Sequence, residues 1–263
     1  MSRPLGALRA TFRLAGLFVV STLTVASWIV PAATRPFSRR LASRIRHRQM
    51  SLWARSALAI IGVRVECDGP APPPGSLLVS NHLSYLDVLV LWSRVPATFV
   101  SKAEVRHWPV LGWAVTGAGT LYLERERRSA VKPMVEAVSE RLALGETVVF
   151  FPEGTSSPGT ELLPFRPSLF EAARAVGGRV HVAALAYATD DPERPASETV
   201  AWWGDAAFAP HFLGLLTLPR VRARLRFAPE PVAADDRKEI ARLARHELEA
   251  IFEPMAPPRL LAT

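Results

Sequence analysis

An α/β domain with a mainly parallel central sheet flanked by helices is what the sequence predicts, carried behind an unusually apolar N-terminal helical segment. Three observations lead there. From residue 63 onward, short runs rich in β-branched and aromatic residues alternate with segments of helical length, the pattern of a parallel sheet. Two of those runs, SLLVSNH (76–82) and TVVFF (147–151), have apolar centres of buried-strand length. Residues 14–34, bracketed by Arg13 and Arg35, hold 21 residues without a single charge.

The apolar head comes first in the chain. A bilayer core takes about 20 apolar residues as a helix, so residues 14–34 are long enough to span it. Ser21, Thr22, Thr24 and Ser27 dilute the segment, and Pro31 ends it. A secretory signal fits poorly, because the run is too long and no small-x-small site leads into a polar mature chain. Arg35, Arg39, Arg40, Arg44, Arg46 and Arg48 follow, and SLWARSALAIIGV (51–63) is apolar again. Arginines near anionic headgroups contribute about 1 kcal/mol each, and Trp28 and Trp53 suit a water–lipid interface. One spanning helix fits, as does a helical hairpin in one leaflet with both flanks cytoplasmic. Arg3, Arg9 and Arg13 ahead of the apolar run favour the hairpin. Either way the larger downstream cluster keeps the body on the cytoplasmic side of the inner membrane. A buried helix of a soluble protein is the remaining alternative. The division expected is a basic hydrophobic membrane anchor over 1–50 and a second domain over 51–263.

In the body, VRVECDG (63–69) reads as a strand and PAPPPG as a stiff loop. SLLVSNH is the next strand, and SYLDVLVLWSRV (84–95) has helical length, with Ser84 able to start it. ATFVSKAEV contains a strand, and Gly117 and Gly119 lead into another at TLYLERE (120–126). VKPMVEAVSERLALG (131–145) is an amphipathic helix stopped by Gly145. TVVFF is followed at once by PEGT, then by a helix over 168–176 and the strand VHVAALAYA (180–188). VRARLRFA (221–228) alternates as a half-exposed strand does, and RKEIARLARHELEAIF (237–252) closes with a helix.

The charge map removes the obvious reading of a basic protein. Of 32 basic and 24 acidic side chains, eleven arginines and no acid lie in residues 1–64. The rest of the chain therefore has 21 basic against 24 acidic groups, so the excess positive charge sits beside the apolar segment, and no nucleic-acid module accompanies it. A single cysteine excludes a disulfide scaffold and a cysteine zinc site. GxSxG, GxxxxGK[ST], a complete dinucleotide fingerprint and HExxH are all missing.

What remains is SNHLSYLD. His82 lies just past a buried strand, where open α/β sheets place their sites. Asp87, five residues on, can curl back from a first helical turn to the imidazole. Such a pair makes a general base: the carboxylate fixes the tautomer and stabilises the imidazolium, while the ring takes a proton from a hydroxyl. No serine or cysteine motif marks an enzyme nucleophile, so the hydroxyl belongs to the substrate. A surface histidine with an aspartate favouring the helix dipole is the plain alternative. FFPEGTSS is the second stretch, where a strand delivers Glu153, Gly154 and Thr155 into a loop able to bind polar headgroup atoms. Arg125 in GTLYLER and Lys102 in VSKAEV are candidate phosphate ligands, with solvated surface charge as their alternative.

Taken together, these stretches resemble the glycerolipid (lysophospholipid) acyltransferase family typified by bacterial 1-acylglycerol-3-phosphate acyltransferase. The block NHxSxxD is matched by Asn81, His82, Ser84 and Asp87. GxxFxxR appears as Gly119, Tyr122 and Arg125, with Tyr for Phe. FPEGTRS appears as Phe151, Pro152, Glu153, Gly154, Thr155 and Ser157, with Ser156 where Arg is usual. HVAALAY matches the fourth block without its proline, and Lys102 and Glu104 match a Lys-x-Glu element. The resemblance covers residues 60–230 in the family's order.

The resemblance implies acyl transfer at the membrane in phospholipid biosynthesis. His82 is then the base and Asp87 its partner, with Asn81, Ser84, Lys102, Arg125, Glu153, Gly154 and Thr155 around the substrate. The acceptor hydroxyl would attack an acyl thioester directly, with no metal, no cofactor and no covalent enzyme intermediate. Acyl-CoA or acyl-carrier protein would be the co-substrate, and membrane lipids and a lysolipid acceptor the other partners. Lysophosphatidate is the first acceptor expected, and another lysophospholipid or a lyso-aminolipid such as lyso-ornithine lipid the second, because Ser156 removes a guanidinium. A thioesterase using water, or a membrane scaffold without catalysis, are the readings of another kind.

Overall fold

The computed structural model describes residues 3–107, 116–123, 131–191 and 193–258. Within them eight strands form one sheet: β1 (Val63–Asp68), β2 (Leu77–Ser80), β3 (Ala97–Lys102), β4 (Leu121–Leu123), β5 (Thr147–Phe150), β6 (Arg179–Thr189), β7 (Val221–Phe227) and β8 (Val232–Ala233). Their order is β1-β7-β6-β2-β5-β3-β4, with β8 paired to the start of β6. β6, β2, β5, β3 and β4 run parallel, as do β1 and β7, and the two groups meet at the antiparallel pair β6–β7. The expected mainly parallel sheet is present.

Side chains alternate between two cores, one on each face of the sheet. Leu78, Val149 and Leu185 join Leu58, Leu86 and Leu215 on one face. Leu77, Val79 and Phe150 join Val138, Ile240 and Leu248 on the other. The first face is covered by α3 (Arg39–Ile61), α4 (Leu86–Trp92) and α8 (Phe208–Thr217). The second is covered by α5 (Val131–Ala143), α6 (Glu171–Ala175) and α9 (Arg237–Ile251). Burial on both sides explains why the central strands carry uninterrupted apolar runs.

The head folds as α1 (Arg3–Ser27), a short α2 (Ile29–Thr34) and α3. Ser38 caps α3 by accepting from the Leu41 amide, and Gly62 ends it at φ +86°. Any side chain at Gly62 would collide with the Arg13 guanidinium as well as straining the backbone. α3 runs unbroken through residue 50 and buries His47, Met50, Ala54, Leu58 and Ile61, so a boundary at residue 50 falls inside a core helix. A buried carboxylate fastens α3 to the sheet. Glu146 accepts from Ser43 Oγ (2.6 Å), Arg46 Nη2 (2.6 Å) and Thr98 Oγ1 (2.5 Å). Burial opposes its charge, yet these partners and nearby His47 outweigh burial and hold the carboxyl well below the usual range. Removing one side of such a buried pair costs about 3–5 kcal/mol.

α1 runs antiparallel to α3. The Trp53 indole donates to Ser21 Oγ (3.1 Å), Gln49 Nε2 donates to the Ser27 carbonyl (2.9 Å), and Gly16 packs on Ile60. Arg9 and Arg13, whose charge ahead of the apolar run favours a hairpin, turn inward. Arg9 donates to the Thr217 carbonyl (2.6 Å), and Arg13 donates to those of Leu216 (3.0 Å), Leu218 (2.6 Å) and Pro219 (3.2 Å). These carbonyls end α8 and lack helical partners, so the guanidiniums satisfy them. The outward face is the reverse of a soluble helix. Leu5, Leu8, Phe12, Phe18, Val19 and Leu23 are exposed, and no charged residue faces out between residues 4 and 30. Residues 4–34 are long and apolar enough to cross a membrane by length and composition.

The sequence pattern predicts no element between β6 and β7, where the structure has α7 (Ala196–Thr199) and α8. α8, FAPHFLGLLT, carries Pro210 in its first turn and Gly214 inside, and is apolar all round. It therefore offers neither propensity nor period to find it by.

Candidate active site

The site forms where β2 and β5 end. Their parallel register pairs Val79 with Phe150, so the turn beginning three residues later on each strand brings His82 and Glu153 side by side. The His82 amide donates to Glu153 Oε1 (3.2 Å), and the Ser157 amide donates to the His82 carbonyl (2.9 Å). The two stretches singled out in the sequence, 70 residues apart, thus become one double loop at the C-terminal edge of the sheet.

His82 Nδ1 lies 2.7 Å from Asp87 Oδ2. That oxygen also accepts the amides of Leu83 (2.7 Å) and Ser84 (3.0 Å), while Oδ1 accepts the Tyr187 hydroxyl (2.7 Å). Four hydrogen bonds fix this carboxylate, which has 0% exposure, in place. A carboxylate at Nδ1 places that nitrogen's proton toward Asp87, which leaves Nε2 as the basic atom. The imidazole keeps 24% exposure and stacks on Phe151 at 4.0 Å between ring centres and 12° between planes. A fixed ring, an open nitrogen and a buried anion behind it are what a general base requires.

The remaining expected residues fall into distinct places. Asn81 and Ser84, expected around the substrate, are turned into the protein. Asn81 spends its amide on the β6 backbone, Nδ2 donating to the Leu185 carbonyl (2.8 Å) and Oδ1 accepting the Leu185 amide (2.7 Å). It continues the β2–β6 ladder one step beyond the strand. Ser84 is fully buried, and its hydroxyl has no hydrogen-bond partner among the described residues. It does not start the helix either: α4 begins at Leu86, and the Asp87 side chain makes the bonds of that turn. Gly154 is buried at φ +77°, a conformation that suits glycine alone. Thr155 is exposed on the loop after β5, and Lys102 is exposed at the end of β3, on the same edge of the sheet. Arg125 lies outside the described residues. Ser156 donates its hydroxyl to the Trp202 carbonyl, so the position that would carry a guanidinium faces a backbone acceptor.

Glu153 is nearly fully buried, and burial pushes its carboxyl up to about 7, opposed by the His82 and Leu163 amides and assisted by the Asp87 charge. A carboxyl raised on folding binds its proton more tightly in the folded state. Its stabilising contribution is complete below its ordinary value of 4.5 and is lost as pH rises to about 7. Glu153→Gln, which cannot ionise, therefore removes up to about 3 kcal/mol of pH-dependent stability across that window. Urea denaturation at pH 4.5 and 7.5 measures it, and an equal stability difference for both proteins would refute the assignment.

Tyr187 was not anticipated. It is buried, and burial followed by the Asp87 charge pushes its phenol well above the ordinary value, so it stays a donor. A signal did exist: Ala183, Leu185 and Tyr187 alternate onto one face of β6, the face that carries α4.

A family model described as Acyltransferase matches residues 63–188. A 1-acyl-sn-glycerol-3-phosphate acyltransferase of Neisseria gonorrhoeae is 37% identical over 158 residues, covering 59% of this chain and 62% of that one. The chain thus spans somewhat less than two thirds of that relative's length. A lyso-ornithine lipid O-acyltransferase of Rhizobium meliloti is 37% identical over 205 residues, 73% of this chain and 70% of the other. One from Pseudomonas aeruginosa is 32% identical over 250 residues, 93% of each. Among solved structures, the 1-acyl-sn-glycerophosphate (LPA) acyltransferase PlsC of Thermotoga maritima superposes with a TM-score of 0.61 at 19% identity, covering 96% of this chain and all of that one. At that identity the likeness is one of fold.

Proposed function

We propose that this chain, which belongs to the acyltransferase family, moves a fatty acyl group from an acyl thioester to the free hydroxyl of a lysolipid at a membrane surface. The observation that carries the reading is His82, pinned through Nδ1 to a buried, four-fold hydrogen-bonded Asp87 while Nε2 stays open. In the proposed step, Nε2 takes the proton of the acceptor hydroxyl as its oxygen attacks the thioester carbonyl. The tetrahedral adduct then expels the thiolate, which recovers the proton from the imidazolium. Products are the diacylated lipid and a free thiol, and no enzyme atom is acylated. Acyl-CoA and acyl-carrier protein both supply this chemistry.

The acceptor we favour is a lyso-aminolipid of the lyso-ornithine kind. Two observations support it: a hydroxyl bonded to the backbone at position 156, where a phosphate-binding guanidinium is usual, and alignment with the Pseudomonas relative over nearly the whole chain. Lysophosphatidate is the second reading, favoured by Arg125 in its block and by the Neisseria relative. Purified protein given either donor and a panel of lysolipids should yield acylated lipid rather than free acid. Free acid would make it a thioesterase, and neither product a scaffold. Introducing Ser156→Arg should raise turnover of lysophosphatidate relative to the aminolipid by about 10-fold, the strength of one added charged hydrogen bond. An unchanged ratio would remove position 156 from acceptor selection.

The head supports a membrane-surface location for this chemistry. A helix whose Arg9 and Arg13 point into the protein and whose outward face from residue 4 on is apolar for about 25 residues, roughly 38 Å, suits the plane of one leaflet. Crossing the bilayer would strip α1 of its contacts with α3 and α8. The exposed Arg39, Arg40, Arg44 and Arg48 then lie at the headgroups, with the body on the cytoplasmic side of the inner membrane.

A further inference from the structure

We infer that Tyr187 is a positioning residue of the catalytic dyad, acting on His82 through Asp87; this rests on the acyl-transfer reading above. β6 is eleven residues long and β2 only four. They separate after Ser80 pairs with Ala183, but β6 continues beyond the sheet edge because antiparallel β7 supports it to Thr189. The overhang carries Tyr187 over the first turn of α4, where its hydroxyl meets Asp87 Oδ1 at 2.7 Å. Its backbone amide donates to Met255 Sδ (3.3 Å) and its residue pairs with Ala223, so the phenol is fixed from behind.

The bond does two things. Asp87 Oδ2 is held by His82 and two loop amides, and Oδ1, among the described residues, by Tyr187 alone, so the phenol sets the rotation of the carboxylate about its Cβ–Cγ bond. It also draws negative charge toward Oδ1, away from the imidazole. Among the described residues, the titratable groups around Asp87 are His82 on the turn after β2, Glu153 on the loop after β5, Tyr85 at the start of α4 and Tyr187 itself. The Tyr85 hydroxyl is bonded to His211 Nδ1 (3.0 Å). That leaves the Tyr187 phenol as the neutral donor on the far oxygen.

Replacing Tyr187 by Phe keeps the ring and deletes the donor. Charge then concentrates on the oxygen facing His82, the dyad holds an added proton more tightly, and the acid limb of kcat/KM moves to higher pH. We expect a shift of about half to one pH unit and a fall in plateau kcat of about 10-fold, the size of one charged hydrogen bond, with acceptor KM unchanged. Incorporating 3-fluorotyrosine at position 187, a stronger donor of nearly the same shape, should move the limb the other way and keep kcat. Far-UV circular dichroism and Tm exclude loss of fold as the cause. An acid limb that stays put in both proteins, or a loss confined to KM, overturns the inference. A wild-type protein with no transferase activity would overturn the functional reading instead.

Discussion

His82→Ala is expected to lower acyl transfer by about 10²–10⁴-fold, the usual contribution of a positioned general base, with little change in stability. The imidazole is partly exposed and its backbone bonds to Glu153 and Ser157 do not depend on the side chain. The loss should fall on kcat, because the proton is transferred as the acceptor oxygen attacks. Asp87→Asn keeps the volume but replaces one acceptor oxygen by an NH2 group. That group would face either the Tyr187 hydroxyl or the loop amides, all of which donate. The variant should therefore lose activity and some stability together. The measurement is initial rate on the best acceptor of the panel, with Tm as control. Retention of more than about a tenth of wild-type kcat by His82→Ala would refute the base assignment.

The second large effect concerns the head. Phe12→Asp with Phe18→Asp places two charges on the outward face of α1, where the rings are 70% and 73% exposed. Burial of a Phe side chain in lipid contributes about 1.5–3 kcal/mol, so losing two should weaken vesicle binding by at least about 10²-fold. Neither ring packs in the core, so Tm in detergent should hold. Activity on vesicles should fall far more than activity on a dispersed short-chain acceptor. Co-sedimentation equal to wild type would place the contact elsewhere. Labelling of cysteines introduced at positions 5 and 30 separates the in-plane arrangement, with both ends on one side, from a crossing helix with ends on opposite sides.

Much of the fold was legible because it rests on burial. β2 and β5 are apolar runs since both faces of the sheet are covered, and β7 alternates since one face meets the Arg224–Glu253 and Arg226–Glu253 ion pairs outside. The His82–Asp87 pair was legible because five residues of turn and first helical turn can close on themselves. What escaped depends on long-range register. Nothing local tells that Asn81 will continue a ladder to Leu185, or that a strand overhang will carry Tyr187 onto a carboxylate 100 residues earlier. The partners of Arg9 and Arg13 escaped for a similar reason: flanking an apolar helix they read only as positive charge favouring a hairpin, and the position of the α8 end assigns them to carbonyls. Ser84 misled because hydroxyls commonly start helices, whereas here the Asp87 carboxylate makes that turn.

Those two arginines also bear on the order in which the molecule can be assembled. Their acceptors are the carbonyls of residues 216–219, more than 200 residues further along the chain. At about 5–20 residues per second of synthesis, α1 waits on the order of 10–40 s for them. Throughout that interval α1 has neither its arginine acceptors nor the α8 surface that covers part of its inner side. On the proposed reading, a lipid surface beside the ribosome is the available host for its apolar face. The nascent chain then docks first and closes later, so the bonding of these arginines to backbone carbonyls marks completion of the body. Translation without membranes leaves the same hairpin in water while the sheet is still unfinished, and aggregation before residue 216 emerges is the expected outcome.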